Sequence, residues 1–150
     1  MIVDLLRNDL GRAAELGSVK VDGPRLLTLP TVHHIVSTVT ARVGGASTAE
    51  LLAAVLPGGS VTGAPKLRAV EIIAALEERA RGVYCGALGW LGAGRALHLA
   101  LPIRTGFVRG GELIVPVGGG VVIDSTAEGE WQETEVKGRA FARALATLAV

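Results

Sequence analysis

Three polar residues of the last predicted helix share one face. Glu130, Glu133 and Lys137 are spaced by three and four positions, so they are neighbours on a helix. Two such carboxylates can bind Mg²⁺, which takes one or two carboxylates together with water and substrate oxygens. A lysine one turn away suits an anionic substrate. The alternative is a solvated face with an ordinary Glu–Lys pair, since such pairs are common.

A glycine-rich loop, residues 57–66, runs into the N-terminus of another predicted helix. It reads PGGSVTGAPK and contains Ser60, Thr62 and Gly63. Free backbone N–H groups and the helix dipole favour an anion at such a place. The loop is not a Walker A motif, because Gly63 is followed by Ala-Pro rather than by Lys-Ser/Thr. The alternative is a tight connection that binds nothing.

Two predicted strands carry residues that could meet a ligand. Gly118, Gly119 and Gly120 are consecutive at a strand position, where glycine often marks close approach of a ligand, or else a bulge. His33 and His34 are adjacent, so in a strand they point to opposite faces and cannot chelate a metal together. At most one of them faces a site, and a hydrogen-bonded structural role is the alternative.

Three single residues complete the candidates. Arg104 lies in the apolar run LPIRT, and a buried arginine needs a partner, often a carboxylate. Tyr84, the one tyrosine, could offer its hydroxyl to a ligand. Cys85 is the one cysteine, which excludes an internal disulfide and a Cys-based zinc site. It has no recognisable activating neighbour, so we expect it to pack rather than to react.

The composition describes a folded protein. The 150 residues are 49% hydrophobic, 19% charged and 3% aromatic, with a net charge of +1. These values exclude disorder and give no basic surface for nucleic acid, and they require a core of Leu, Val, Ile and Ala. No apolar run approaches the ~18 residues of a membrane span, and Asp4, Arg7 and Asp9 interrupt any secretory signal. We therefore expect a cytoplasmic protein with no membrane or nucleic-acid partner.

The elements that must position these residues can be predicted from periodicity, caps and glycines. They are a helix over 1–10, two short strands within 17–29, a strand over 31–43, helices over 47–56 and about 65–80, strands over 83–91, 96–107 and 112–123, and a helix over about 127–148. Ser47 to Glu50 and Ser125 to Glu128 are predicted capping boxes. Because strands follow strands and helices follow helices, an α+β fold with mostly antiparallel pairing is favoured over a βαβ repeat.

Six segments, taken in order, carry a resemblance that no single motif carries. They are MIVDLLRNDLGR, VHHIVSTV, LPGGSVTGAPKLRAVEII, RGVYCGALGWL, LPIRTG and VGGGVVIDSTAEGEWQETEVK. The first begins at residue 1 and the last ends at residue 137, so the resemblance extends over nearly all of the chain. Together they resemble the C-terminal part of the chorismate-utilising enzymes. The resemblance implies that residues 1–150 form a chorismate-binding α+β domain, with mostly antiparallel sheet and flanking helices, and that the N-terminal half of the family fold is absent.

Within that family, PGGSVTGAPK, VHHIVSTV and the three glycines look most like aminodeoxychorismate synthase component I, also called para-aminobenzoate synthase component I. Anthranilate synthases tend to have PAGTVSGAPK and GAG. The implied reaction is Mg²⁺-dependent amination of chorismate at C4, for para-aminobenzoate and folate synthesis, with ammonia from a glutamine amidotransferase subunit. The alternatives are a fragment of anthranilate synthase component I or isochorismate synthase, and a non-catalytic, truncated anion-binding module.

The resemblance also implies a metal and carboxylate site in the second half of the chain. Glu133 matches a magnesium ligand, and Glu130 matches a nearby glutamate that often acts through water. Lys137 matches the lysine that holds a chorismate carboxylate. The backbone of Gly118 to Gly120 matches the loop against that carboxylate.

The remaining roles implied by the resemblance concern the substrate. Tyr84 and Arg104 match residues that bind the enolpyruvyl carboxylate. His34 matches the site histidine near the ring, and with Thr62 it is expected to be catalytic. The loop beside the magnesium-bound carboxylate is matched by Ser60, Thr62 and Gly63.

The chain departs from the family pattern in three ways. Thr-Ala-Glu at 126–128 replaces Asp-Pro-Glu, and Pro102 interrupts a family strand, which suggests an edge or bulge. The upstream PIKGT-like lysine, SPE-like glutamate and ExxEH metal ligand of the family are not among the 150 residues. We therefore expect the isolated chain to be nearly inactive. We also expect it to leave apolar surface for the missing half or a second chain to cover.

Overall fold

The computed structural model describes residues 1–30 and 32–148, which divide into two compact units. Unit 1 contains Met1–Glu78 and Gly92–Ala96, and unit 2 contains Arg79–Leu91 and the described residues from Leu97 onward. The expectation of one domain over residues 1–150 stays a prediction. Residue 31, at the edge of the predicted strand 31–43, lies outside the described residues.

Unit 1 combines helices with one antiparallel strand pair. Its elements are α1 (Ile2–Gly11), β1 (Lys20–Thr28), β2 (His33–Thr40), α2 (Thr48–Val55), α3 (Gly59–Thr62) and α4 (Lys66–Leu76), with a 3-10 turn at Ala93–Arg95. The capping box at the start of α2 is confirmed. Ser47 Oγ accepts from the Glu50 N–H at 3.2 Å, and the Glu50 carboxylate accepts from the Ser47 N–H at 2.7 Å. Helix α4 ends earlier than predicted, because Glu77 has extended backbone.

Strands β1 and β2 form one ribbon. The register shifts between Asp22 and Arg25, where Gly23 has φ +113° and Pro24 has no N–H to donate to the ladder. A Cβ at Gly23 would lie 3.1 Å from Ser37 Cα, so the partner strand also leaves no room there. The prediction of two strands within 17–29 is therefore wrong, because the irregularity interrupts the pairing without ending the strand.

Unit 2 consists of two hairpins and a long helix. Its elements are β3 (Leu88–Leu91), β4 (Leu97–Ala100), β5 (Phe107–Arg109), β6 (Glu112–Ile114) and α5 (Ala127–Leu148). Strand β3 pairs antiparallel with β4, and β5 pairs antiparallel with β6. Gly110 and Gly111 join β5 to β6 with φ +60° and +82°. Positive φ at both central residues is what a two-residue hairpin turn of matching twist requires.

The strands of unit 2 are shorter than predicted. Strand β4 ends at Ala100, two residues before Pro102, whose carbonyl instead accepts the Cys85 N–H at 2.8 Å. A proline cannot continue the ladder, so the predicted strand 96–107 divides into β4 and β5. The third predicted strand, 112–123, ends at Ile114, and Gly118 to Gly120 therefore lie in a loop rather than in a strand.

The predicted α+β class with antiparallel pairing is confirmed by these sheets and helices. The predicted core is small, however. Among the described residues, Ala54, Cys85 and Pro102 are the buried apolar side chains, while Ile35 and Ile123 are 79% and 97% exposed. Within the same residues, no helix has the length and hydropathy needed to span a membrane.

Candidate functional site

The candidate site of unit 2 begins at the first turn of α5. The predicted capping box at Ser125 is wrong by one residue. The Gly129 N–H donates to Thr126 Oγ1 at 3.2 Å, so Thr126 caps the helix. The Ser125 hydroxyl therefore does not cap the helix and has other partners. Its Oγ accepts from the Val122 N–H at 2.9 Å and donates to Glu130 Oε1 at 2.5 Å.

The second oxygen of Glu130 faces the glycine loop. Glu130 Oε2 is buried and has no hydrogen-bond partner in the part of the chain that the structure describes. A Cβ added to Gly119 would overlap this oxygen and would lie 3.8 Å from the carboxyl carbon of Glu133. The two carboxylates of α5 therefore both lie beside the backbone of Gly119. The Glu130 carboxylate occupies the space where any residue other than glycine would have its Cβ.

Lys137 completes this group on the same helix face. Its Nζ donates to the Gly118 carbonyl at 2.8 Å and to Glu133 Oε1 at 2.5 Å. The side chains of Lys137 and Glu133 are 26% and 50% exposed, so the pair itself contributes only about 0.3–0.5 kcal/mol. The bond to Gly118 makes it more than an ordinary surface pair, because it ties the helix to the glycine loop.

Tyr84 lies against the same loop. A Cβ on Gly118 would lie 3.1 Å from the Tyr84 hydroxyl oxygen, so the hydroxyl is next to the Gly118 backbone. The ring of Tyr84 is half-buried, and the Arg81 guanidinium lies 5.9 Å from its centroid. Tyr84, Gly118 and Lys137, predicted from separate motifs, are therefore brought together.

Arg104 departs from its prediction. It is exposed rather than buried, and it makes no ion pair within the described residues. Arg104 lies in the loop after β4, two residues beyond Pro102, and its backbone has a φ of +50°. The Cys85 N–H bonds the Pro102 carbonyl. Tyr84 is next to Cys85 and Arg104 is two residues beyond Pro102, so this bond holds the two segments together. Cys85 itself is buried, as expected of a packing residue.

The glycine-rich loop of unit 1 forms the short helical turn α3. Thr62 Oγ1 donates to the Gly58 carbonyl at 3.0 Å, so its proton is already used inside the turn. Ser60 Oγ has no hydrogen bond within the described residues. Gly63 has φ +117°, a conformation that strongly favours glycine. The side-chain donor that the loop leaves unused is therefore the Ser60 hydroxyl.

Lys66, at the start of α4, uses its charge in bonds within the protein. Its Nζ pairs with Asp9 Oδ1 at 2.7 Å and donates to the Ala54 carbonyl at 3.0 Å. Asp9 Oδ2 accepts from the Gly59 N–H at 2.9 Å. The two side chains are only 12% and 7% exposed. Sequence reasoning missed this pair, and no local signal could have found it, because α1 and α4 are far apart along the chain.

The two histidines lie at the start of β2 and are both exposed. His33 Nδ1 is 3.2 Å from Thr28 Oγ1, which gives it a local partner across the ribbon. The His34 side chain has no hydrogen bond in the described part of the chain. The catalytic role of His34 stays a prediction.

The two carboxylates of α5 fit part of a magnesium site. No group of three or more His, Cys, Asp or Glu side chains that could hold a metal occurs among the described residues. Mg²⁺ needs fewer, since it is usually held by one or two carboxylates with water and substrate oxygens. The buried, unpartnered Glu130 Oε2 is costly without a donor or a cation. Glu130 and Glu133 are therefore suitable ligands.

Comparison with known proteins gives consistent matches. A family model described as chorismate binding enzyme matches residues 1–143. The chain is 50% identical over 138 residues to aminodeoxychorismate synthase component 1 of Salmonella typhimurium, covering 89% of this chain and 30% of that protein. It is 47% identical over 148 residues to anthranilate synthase component 1 of Pseudomonas aeruginosa, covering 97% and 30%. It thus spans about 30% of the length of these relatives.

A solved structure gives the same result for the fold. The crystal structure of anthranilate synthase component I from Streptococcus pneumoniae TIGR4 matches with a TM-score of 0.82 and 44% sequence identity. The match covers 91% of this chain and 32% of that one. The arrangement of helices and small antiparallel sheets is therefore one that a solved protein also has.

Proposed function

Because the chain belongs to the family of chorismate binding enzymes, we propose that it is the magnesium- and chorismate-binding part of an aminodeoxychorismate synthase component 1. The observation that carries the proposal is the convergence of Tyr84, Lys137 and the Glu130–Glu133 pair on the loop at Gly118 and Gly119. In the whole protein the reaction is amination of chorismate at C4, with ammonia from a glutamine amidotransferase subunit.

The charges of this group suit chorismate, which carries two carboxylates. Lys137 provides a positive charge next to the glycine loop, where it now bonds the Gly118 carbonyl and Glu133. A substrate carboxylate would replace the Glu133 oxygen as its partner, because a charge-assisted bond is retained in the exchange. Tyr84 would donate its hydroxyl to the enolpyruvyl carboxylate. Exposed Arg104 is available for the same carboxylate.

Mg²⁺ would be held by Glu130 and Glu133, and when bound it would neutralise a substrate carboxylate and act as a Lewis acid toward loss of the ring hydroxyl. Ser125 holds Glu130 by one oxygen and leaves the other for the cation. In unit 1, Ser60 would donate its hydroxyl to a carboxylate, whereas Thr62 and Gly63 would first have to release their bonds to the Gly58 and Gly59 carbonyls. His34 would work near the ring.

The exposed apolar residues support a larger assembly. The chain spans about 30% of the length of its relatives, and side chains such as Ile35 and Ile123 are open to solvent. We propose that the remainder of the fold, in the same chain or in a second one, covers them.

The test is an NMR titration of the ¹⁵N-labelled chain with chorismate, with and without Mg²⁺. We expect the amides of Gly118 to Gly120 to shift, and Mg²⁺ to tighten binding. Lys137→Met and Glu133→Gln should each weaken binding by about tenfold. Arg139→Met and Glu135→Gln are matched controls, since both residues are exposed on the same helix. If the controls weaken binding equally, or Mg²⁺ has no effect, a non-catalytic anion-binding module becomes the better interpretation.

Anthranilate synthase component 1 is the second candidate function. The 47% identity over 97% of the chain, with a solved structure of that class at TM-score 0.82, favours it nearly as well. A longer chain that contains these residues decides between them when given chorismate, ammonia and Mg²⁺. Formation of 4-amino-4-deoxychorismate supports the first function, and formation of fluorescent anthranilate supports the second.

A further inference from the structure

The ion pair between Asp9 and Lys66 needs an explanation. Taking two charges out of water is costly, and their attraction repays the cost only when hydrogen bonds satisfy the remaining positions. Here these bonds exist, because Lys66 also bonds the Ala54 carbonyl and Asp9 also bonds the Gly59 N–H. The four groups come from the end of α1, the end of α2 and both sides of the glycine-rich loop.

Asp9 acts as the cap of a helical turn that cannot cap itself. Gly58 occupies the N-cap position of α3 and has no side chain to accept an N–H. Asp9 Oδ2 takes the Gly59 N–H instead, and a carboxylate at a helix start is electrostatically favourable. The fit is close, because a Cβ on Gly59 would lie 3.2 Å from Asp9 Oδ2. The position of the turn is therefore set by a residue about fifty positions upstream.

Lys66 holds Asp9 in that orientation and is itself neutralised by it. Its charge is therefore not available to a substrate anion, although it belongs to the glycine-rich motif. The turn is left with neutral groups, of which the Ser60 hydroxyl is the main donor, because the N–H groups of Gly59, Val61 and Gly63 are already bonded. What the pair can contribute is the placement of these groups.

We propose that Asp9 and Lys66 are positioning residues that fix the turn Gly59–Thr62, so that the Ser60 hydroxyl is already ordered for the carboxylate of the substrate. The proposal rests on the proposed function, because that function gives the turn its substrate. Preorganised donors lower the cost of binding, since no loop has to be ordered when the ligand arrives.

The experiment compares Lys66→Met with Arg68→Met in the full chain. Arg68 is the matched control, because it lies on the same helix in an exposed i,i+3 pair with Glu71. Hydrogen exchange of the Gly59 amide is measured by NMR, together with the melting temperature and the affinity for chorismate with Mg²⁺. We expect Lys66→Met to speed exchange at Gly59 and to weaken chorismate binding by at least about tenfold each, with Arg68→Met unchanged.

The outcomes separate this proposal from the proposed function. Equal exchange at Gly59 in both variants overturns it, whether or not chorismate binds. Faster exchange with unchanged affinity in the folded protein also overturns it, since the pair would then be merely structural. If the unsubstituted chain binds no chorismate, the proposed function fails, and this proposal fails with it even where exchange shows that the pair orders the turn. If Lys66→Met does not fold, Asp9→Asn combined with Lys66→Met removes both charges together and is held to the same criteria.

Discussion

Ser125 Oγ donates a hydrogen bond to Glu130 Oε1 and so directs the other oxygen of that carboxylate toward Gly119. Ser125 is itself oriented by the Val122 N–H. Groups that hold a metal ligand in place commonly affect metal affinity almost as much as the ligand does.

Ser125→Ala is expected to lower the affinity for Mg²⁺ by about tenfold, because Glu130 loses the bond that orients it. Isothermal titration with Mg²⁺ in the presence of chorismate measures the change. Thr147→Ala is the control, since the Thr147 hydroxyl bonds the Ala144 carbonyl of its own helix. An unchanged affinity in Ser125→Ala would show that Glu130 is oriented by other contacts.

Gly119→Ala is expected to abolish the same Mg²⁺ response, because the new Cβ would overlap Glu130 Oε2. Gly120→Ala is the matched control, since nothing lies within 4 Å of a Cβ at that position. The same titration applies to both variants. Equal losses in the two would mean that loop flexibility, and not the space beside Glu130, is what matters.

The start of α2 should respond to acid through Glu50. Hydrogen bonds from the Ser47 N–H and then from its hydroxyl lower the pKa of Glu50 below its ordinary 4.5. A carboxyl with a depressed pKa stabilises the folded state above its unfolded pKa, and this contribution is lost as the pH falls through the folded pKa. We expect the first turn of α2 to loosen below pH 4.5, as followed by exchange of the Glu50 amide. In Glu50→Gln the loss should no longer depend on pH over that range, and a persistent pH dependence would point to another group.

Exposed and buried apolar residues should differ in their effect on stability. Ile123→Thr is expected to change the free energy of unfolding by less than about 0.5 kcal/mol, because Ile123 is already 97% exposed. Cys85→Ser should cost about 1–3 kcal/mol, since it buries a hydroxyl where a thiol packs. Urea unfolding gives both values. A large loss for Ile123→Thr would show that this residue is covered in solution, for example by a second copy.

The isolated chain is expected to turn over no chorismate with ammonia and Mg²⁺. In the family that the chain resembles, the residues that transfer protons lie in motifs that are not among these 150 residues. Chromatography of the products, with anthranilate fluorescence as a second signal, measures the rate. Turnover above the uncatalysed background would contradict the expectation and would assign the proton transfer to residues within this chain.

Local signals predicted the helices well and the strand ends poorly. The Ser47–Glu50 box and the periodicity of α5 act over a few residues, and both elements were found. The β-rich segment before Pro102 was predicted too long, since alternation of apolar residues does not reveal where pairing stops. The run of glycines at 118–120 was assigned to a strand, yet the partner that explains it is the Glu130 carboxylate.

For the candidate site, residues on one helix could be predicted and contacts between distant segments could not. The grouping of Glu130, Glu133 and Lys137 follows directly from their spacing on α5. The pairing of Asp9 with Lys66 depends on how two helices pack, which one sequence does not encode in any short pattern. Arg104 was expected to be buried from its apolar neighbours, but the loop after Pro102 leaves it exposed.

The internal bonds of Lys66 and Lys137 affect where an amine-specific label can be attached to the chain. Its three lysines are Lys20, Lys66 and Lys137, and the last two hold carboxylates and backbone carbonyls. A mild amine-specific reagent should therefore react with exposed Lys20 before either of them. A fluorophore attached there would sit on the β1–β2 ribbon of unit 1 and leave both of the other lysines in their bonds.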